Sequence, residues 1–184
     1  MEFEDNEEEI PFQIPTTWKW VRLGEIINFK IGKTPKRDNN NYWDGNIPWV
    51  SIADMIDGEK IISAKEQVSK IAAKEVFSDI SPKGTLLMSF KLTVGRVSIL
   101  DCDAYHNEAI ISIYPFFDNN NIVKNYLFKM LPFMSNFGET KNAIKGKTLN
   151  STSIYNLLIP LPPLEEQKRI VEILNKMLPL VKNL

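Results

Sequence analysis

Short apolar runs of the kind that form β-strands, separated by loops rich in Gly, Pro and Asn, occupy most of this 184-residue sequence. Runs of this length bounded by turn residues are typical of strands, and they leave room for only short helices between them. We predict strands at 28–31, 47–52, 60–62, 85–90, 97–100 and 109–114, and helices at 65–77 and 122–130. The pattern predicts an α+β fold of short twisted strands and helices joined by long loops.

Local signals place two of these elements. Ser63 and Glu66 have the spacing of a capping box, which predicts that the first helix follows them. Gly95 separates the fourth and fifth predicted strands, and we expect these two strands to pair as a hairpin.

The end of the chain has a different pattern. Pro162 and Pro163 stand where a helix should begin, and Glu165 and Glu166 lie in its first turn, where acids complement the helix dipole. Apolar residues then recur at spacings of four and three, as in a coiled-coil seam: Ile170, Leu174, Met177, Val181 and Leu184. Pro179 should kink this helix or end it early. A helix packed on its own domain explains the same pattern equally well.

The net charge of −1 is an average over two unlike parts. Residues 2–9 contain six acids and no base, which is typical of a solvated, disordered leader. Without them, 17 acids face 22 bases, so residues 10–184 carry a net charge of +5. The body of the protein is therefore mildly basic, and a nucleic-acid partner is compatible with the charge.

The unmatched bases gather in two polar loops, at 32–46 and 138–150, and beside the turn between them. Basic side chains of this kind can neutralise DNA phosphates, and nearby amide side chains can contact the edges of nucleobases. Solvated loops also carry Lys and Asn for solubility, and the residues alone favour neither reading. The candidate DNA-binding residues are Lys33, Lys36, Arg37, Asn39, Asn41, Lys91, Arg96, Lys141, Lys145 and Lys147.

Catalytic chemistry has little support. The sequence contains no phosphate-binding Gly-rich motif, and the single Cys (Cys102) and single His (His106) exclude an internal disulfide and a multi-His metal site. We predict no catalytic residue and no metal site. The enzyme alternative is a small metal-dependent nuclease using Glu139 or Glu108, and a third alternative is a module that binds only proteins. An acidic N-terminus and the lack of a long apolar run favour a cytoplasmic protein.

Taken in order, several segments resemble one family, the DNA-specificity (S) subunits of type I restriction-modification systems. The resemblance runs from about Ile14 to Leu184. It rests on an ordered set of short segments: Ile14-Pro15-Thr16-Thr17-Trp18, Gly32-Lys33-Thr34-Pro35, Gly45-Asn46-Ile47-Pro48-Trp49-Val50, Lys83-Gly84-Thr85-Leu86-Leu87, Tyr105-His106-Asn107-Glu108-Ala109 and Leu161-Pro162-Pro163-Leu164-Glu165-Glu166-Gln167.

The resemblance implies a DNA target-recognition domain at 10–160, after the leader at 1–9, and a conserved helix at 161–184. In this family the helix acts as a spacer and docks the methyltransferase (M) subunits. A family S subunit has no catalysis of its own. It directs adenine methylation by M, and cleavage by the restriction (R) subunit, to one DNA sequence. S-adenosylmethionine, Mg²⁺ and ATP are implied only for those partners.

The chain departs from the family pattern because it has one recognition domain and one short helix, where members usually have two of each. Two expectations follow. The chain is either a half-subunit that pairs with a second copy or another S half through the helix seam, or a fragment of a longer S subunit. A symmetric dimer should bind a palindromic site.

Overall fold

The computed structural model describes residues 10–137, 141–143 and 146–181, and within them the fold is α+β, as predicted. The strands are β1 (Lys19–Arg22), β2 (Ile27–Ile31), β3 (Ile47–Val50), β4 (Glu59–Ile61), β5 (Glu66–Val68), β6 (Leu86–Ser89), β7 (Lys91–Leu92), β8 (Val97–Leu100), β9 (Tyr105–His106), β10 (Ile110–Pro115), β11 (Lys141–Ala143), β12 (Gly146–Thr148) and β13 (Leu158–Leu161). The α-helices are α1 (Leu23–Ile26), α2 (Lys70–Glu75), α3 (Ile122–Met134), α4 (Ser151–Tyr155) and α5 (Leu164–Val181).

A five-stranded sheet with the order β2-β10-β6-β8-β4 forms the centre of the molecule. Neighbouring strands are antiparallel except β4, which runs parallel to β8. The predicted hairpin is confirmed, since β6 pairs with β8 antiparallel and Leu86 faces Ile99. The described residues form three smaller sheets besides this one, in the orders β1-β13, β5-β3-β9 and β11-β12-β7.

Strand β6 shows why the central sheet is stable. Leu86 and Met88 pack on one side with the buried residues of α3, whereas Leu87 packs on the other side with Val50 and Leu100. All are fully buried or nearly so. Alternate residues of a strand point to opposite faces, so a continuous apolar run fits a strand that is covered on both sides.

The predicted helix at 65–77 was wrong in its first part. Residues Glu66–Val68 form β5 and pair with β3, and α2 begins only at Lys70. The side chain of Ser69 accepts a hydrogen bond from the backbone N–H of Ala72, so Ser69 caps the helix in place of Ser63. The capping-box spacing of Ser63 and Glu66 was therefore coincidental.

The predicted loop at 138–150 contains two strands. β11 and β12 form a hairpin, and β12 also pairs with β7. The helix predicted at 122–130 is confirmed and extends to Met134 through Pro132.

Helix α5 begins at Leu164, directly after the two prolines, as predicted. The buried side chain of Gln167 donates a hydrogen bond to the carbonyl oxygen of Pro162 over 2.8 Å, which fixes this start. Pro179 does not end the helix early, because α5 continues to Val181. None of the helices in the described part of the chain is long and apolar enough to cross a membrane.

The two halves of α5 differ in their surroundings. Ile170 and Val171 pack against the main core, near α3, so the first half lies on its own domain. Farther along, Leu174 is half-buried, and four other apolar side chains are exposed: Ile173, Met177, Leu178 and Leu180. The side chain of Val181 and all of Leu184 lie outside the described residues. The predicted seam is therefore divided, since Ile170 is half-buried against the domain and Met177 is exposed.

Candidate nucleic-acid interface

The loops that carry the candidate residues meet at one end of the central sheet, where several of its strands begin or end. Strands β2 and β6 end at this edge, and β8 and β10 begin there, since Ile31 pairs with Ile111 and Met88 pairs with Val97. The loop after β2, the turn between β6 and β8, and the β11–β12 hairpin that pairs with β7 all start from it. We call this surface the loop edge.

The loop at 32–46 is attached to the sheet by specific hydrogen bonds. The backbone N–H of Lys33 donates to the carbonyl oxygen of His106 over 2.9 Å. The indole N–H of Trp49 donates to the carbonyl of Lys33 (3.0 Å), and that of Trp43 donates to the carbonyl of Lys36 (3.1 Å). A Cβ at Gly32 would overlap the carbonyl oxygen of His106, so glycine permits this close approach. The basic segment therefore has a defined position.

Arg37 is held by two kinds of contact. Its guanidinium forms a bidentate ion pair with Glu66, and its centre lies 3.9 Å from the ring centroid of Trp43 and 5.0 Å from that of Trp49. The hydrogen bond to Glu66 is the main cause that raises the pKa of Arg37 above its ordinary value. Glu66 and the two tryptophans were not among the predicted site residues. A base followed by two Trp in the same segment was the signal that could have found the aromatic support.

The other candidates in this loop differ in their exposure and in their hydrogen bonds to the rest of the protein. Lys33 is exposed and donates to the carbonyl oxygen of Val76 over 3.0 Å. Asn39 caps a short 3₁₀ segment, since its side chain accepts a hydrogen bond from the N–H of Asn41. The Asn41 side chain is exposed, and the side chain of Lys36 is exposed as well. Lys36 and Asn41 are thus the most accessible for a partner.

The turn between β6 and β8 contributes Lys91 and Arg96. Lys91 is half-buried, with its ammonium 5.2 Å from the ring centroid of Phe90. Arg96 is also half-buried and donates hydrogen bonds to the carbonyl oxygens of Ile52 and Met55, both over 3.3 Å. Arg96 therefore holds a neighbouring loop in place.

The second basic cluster reaches the same edge through its backbone. Lys91 pairs with Thr148, and Thr148 pairs with Lys141 on the next strand, while Lys147 pairs with Leu92. The side chains of Lys141 and Lys147, and the whole of Lys145, lie outside the described residues. The structure brings the two predicted basic regions to one edge of the sheet. Which of these residues contact DNA stays a prediction.

Glu108, a candidate of the nuclease alternative, lies at this edge and accepts a hydrogen bond from the hydroxyl of Thr34. Glu139 lies outside the described residues. In residues 10–137, 141–143 and 146–181, no group of three or more His, Cys, Asp or Glu side chains could hold a metal ion.

His106 lies beneath the loop edge and is 4% exposed. Its Nδ1 atom has no hydrogen-bond partner among the described residues. Burial lowers the pKa of His106 from 6.5 to about 4, because the charged imidazolium would lose its hydration. The imidazole is therefore neutral at physiological pH and supports the start of the basic loop as a packed side chain.

This histidine should make the stability of the protein depend on pH. Below pH 6.5 the unfolded chain takes up a proton that the folded protein resists down to about pH 4. The free energy of unfolding should therefore fall by about 2 kcal/mol between pH 7.5 and pH 5 through this group. Urea titrations of the wild type and His106→Gln at both pH values measure it. Equal pH dependence in the two proteins would contradict the prediction.

The comparisons with known proteins agree with this architecture. The family model described as type I restriction modification DNA specificity domain matches residues 15–181, and the chain belongs to this family. It is 31% identical to the type I restriction enzyme MjaIX specificity subunit of Methanocaldococcus jannaschii, covering 93% of this chain and 40% of that subunit. It is 28% identical to the EcoR124I/EcoR124II specificity subunit of Escherichia coli, covering 86% of this chain and 40% of that one.

A solved structure gives the same result for the fold. The HsdS subunit from Thermoanaerobacter tengcongensis superposes with a TM-score of 0.65 at 25% identity, over 94% of this chain and 40% of that subunit. The chain thus spans about 40% of the length of the curated relatives it matches. These relatives are named as specificity subunits of type I restriction enzymes, which agrees with the expectation that this chain is a specificity component.

Proposed function

We propose that this chain is a DNA target-recognition domain that directs a type I methyltransferase and restriction complex to its target sequence. The observation that carries the proposal is the loop edge, where the two basic regions of this specificity domain meet at one end of the central sheet. Basic side chains on loops held by a sheet can contact DNA phosphates at fixed spacings. Polar side chains between them can contact the edges of the nucleobases.

In this function the chain supplies binding, and its partners supply chemistry. The M subunits would methylate adenine with S-adenosylmethionine, and the R subunit would cleave DNA with Mg²⁺ and ATP. The chain would bind none of these cofactors itself. The complex would act on double-stranded DNA in the cytoplasm.

The test is the recovery of a sequence. The 184-residue protein is incubated with random double-stranded DNA, bound DNA is recovered over several rounds, and the enriched sequences are aligned. We expect one motif, bound more tightly than unrelated DNA at physiological salt. Recovery of DNA without a common motif would contradict sequence recognition.

We also propose that the exposed half of α5 packs against the same helix of a second copy. Its apolar side chains beyond Val171 include Met177 and Leu180, which are 55% and 69% exposed. Pairing two such surfaces would remove this apolar area from water, and the two recognition domains would then face a palindromic site.

This pairing makes a prediction about mass in solution. The protein should sediment as a dimer at tens of micromolar, and Met177→Glu should make it a monomer, because a carboxylate would be buried in the seam. Ile71→Glu, which alters an exposed apolar residue on α2, is the matched control and should stay dimeric. A wild-type monomer would contradict the pairing.

A further inference from the structure

We propose that Leu92 contacts the methyl group of a thymine and so determines part of the sequence that is recognised. The inference rests on the proposed function, because it requires the loop edge to bind DNA. Leu92 lies on β7 at that edge, and its side chain is 52% exposed. It is the one described residue other than Gly and Asn that has a positive φ, at 67°.

The backbone around Leu92 forms a tight and unfavourable turn. The N–H of Thr93 donates a hydrogen bond to the carbonyl oxygen of Lys91 over 2.8 Å, so Leu92 is the central residue of a γ-turn. Glycine adopts such a φ without steric cost, whereas leucine does so against the clash of its Cβ. Strained residues of this kind persist where the surroundings fix them, and they are concentrated at functional sites.

The surroundings of Leu92 do fix it. Phe90 is buried, and its backbone bonds to Ala109 on one side and Leu149 on the other, over 2.9 and 2.8 Å. The N–H of Gly95 donates to the carbonyl of Ser89 over 2.9 Å, and the Ser89 hydroxyl donates to the carbonyl of Thr93. The turn therefore presents a leucine side chain to solvent at a defined position and does not fold it into the core.

The position indicates what the side chain could meet. Leu92 follows Lys91 in the chain, and its backbone pairs with that of Lys147, so an apolar residue lies between two basic positions of the loop edge. A two-stranded β-ribbon fits the major groove, and β11–β12 beside β7 has that form. The apolar group on base edges in this groove is the C5-methyl of thymine, which packs well against an aliphatic side chain.

The experiment removes the methyl group from the DNA and the side chain from the protein. Each thymine of the enriched motif is replaced singly by deoxyuridine, which differs only in lacking the methyl, and affinity is measured for wild type, Leu92→Ala and Leu92→Gly. The control is Ile62→Ala, because Ile62 is an exposed apolar residue at the opposite end of the central sheet. Replacing one particular thymine should weaken DNA binding by the wild type and by Ile62→Ala about fourfold, the equivalent of one methyl-sized group. The same replacement should not change the affinity of either Leu92 variant.

Leu92→Gly adds a second measurement, since it should raise the midpoint of thermal unfolding by removing the strained φ while it weakens recognition. The contact would be overturned if replacing the same thymine weakened binding equally in the wild type and in both Leu92 variants. It would also be overturned if no thymine replacement changed the affinity. Either result would leave DNA recognition itself intact. Failure to enrich any motif would overturn the proposed function and the contact together.

Discussion

Replacing Lys36 and Lys91 together with alanine should make the salt dependence of DNA binding less steep by up to about 1.8 in the slope of log K against log salt. Each lysine–phosphate interaction that is removed lowers the slope by about 0.9, because fewer counterions are released on binding. Binding should weaken to a similar degree for all DNA sequences, since phosphate contacts carry no sequence information. Fluorescence anisotropy over a range of salt concentrations gives both quantities.

Lys83→Ala is the matched control. Lys83 is an exposed lysine like Lys36, but it lies at the opposite edge of the central sheet, where its ammonium is 3.3 Å from the carboxylate of Asp101. Its removal should leave the slope unchanged. An unchanged slope in the Lys36 and Lys91 double variant would remove these two residues from the interface, and a reduced slope for Lys83→Ala would indicate that binding occurs elsewhere.

Arg37 and Arg96 are left out of this variant because the structure gives them internal contacts. Arg37 pairs with Glu66, and Arg96 donates to two carbonyl oxygens of a neighbouring loop. Truncating either would disturb the loops as well as any DNA contact. The sequence could not show that these arginines are engaged internally, because their hydrogen-bond partners lie at least 29 positions away along the chain.

The strands of the central sheet could be predicted because their signal is local. Runs such as the one around Leu87 are apolar at successive positions, and a strand buried on both faces needs that composition. The same local reasoning failed at Glu66. Its spacing from Ser63 fits a helix cap, but Val68 is fully buried in a sheet with β3 and the Glu66 carboxylate pairs with Arg37. Tertiary pairing decided the conformation there.

The loop edge itself could be predicted only in part. The two basic loops were visible as charge without matching acids, but their meeting depends on the order of strands in the sheet, which no local pattern specifies. The β11–β12 hairpin was missed because its sequence is polar, and polar strands lack the alternation that marks a half-buried strand. Leu92 was missed because a positive φ at leucine has no local sequence signal.

Trp49→Ala should be the most destabilising of these substitutions. Trp49 is 1% exposed, packs edge-on against Trp43 at 5.1 Å between ring centroids, and donates its indole N–H to the carbonyl of Lys33. Removing a buried tryptophan side chain leaves a large cavity and should lower the free energy of unfolding by about 3–5 kcal/mol. Urea unfolding at neutral pH measures the decrease.

Trp49→Phe separates the two contributions of this side chain. Phenylalanine keeps an aromatic ring in the site but cannot donate to the Lys33 carbonyl, so the free energy of unfolding should fall by about 1–2 kcal/mol. Because that hydrogen bond attaches the start of the basic loop to β3, Trp49→Phe should also weaken DNA binding although most of the fold is retained. If Trp49→Phe were less stable but bound DNA as tightly as wild type, the position of the loop at 32–46 would not matter for recognition. The interface would then have to lie on the turn at Lys91 and the β11–β12 hairpin alone.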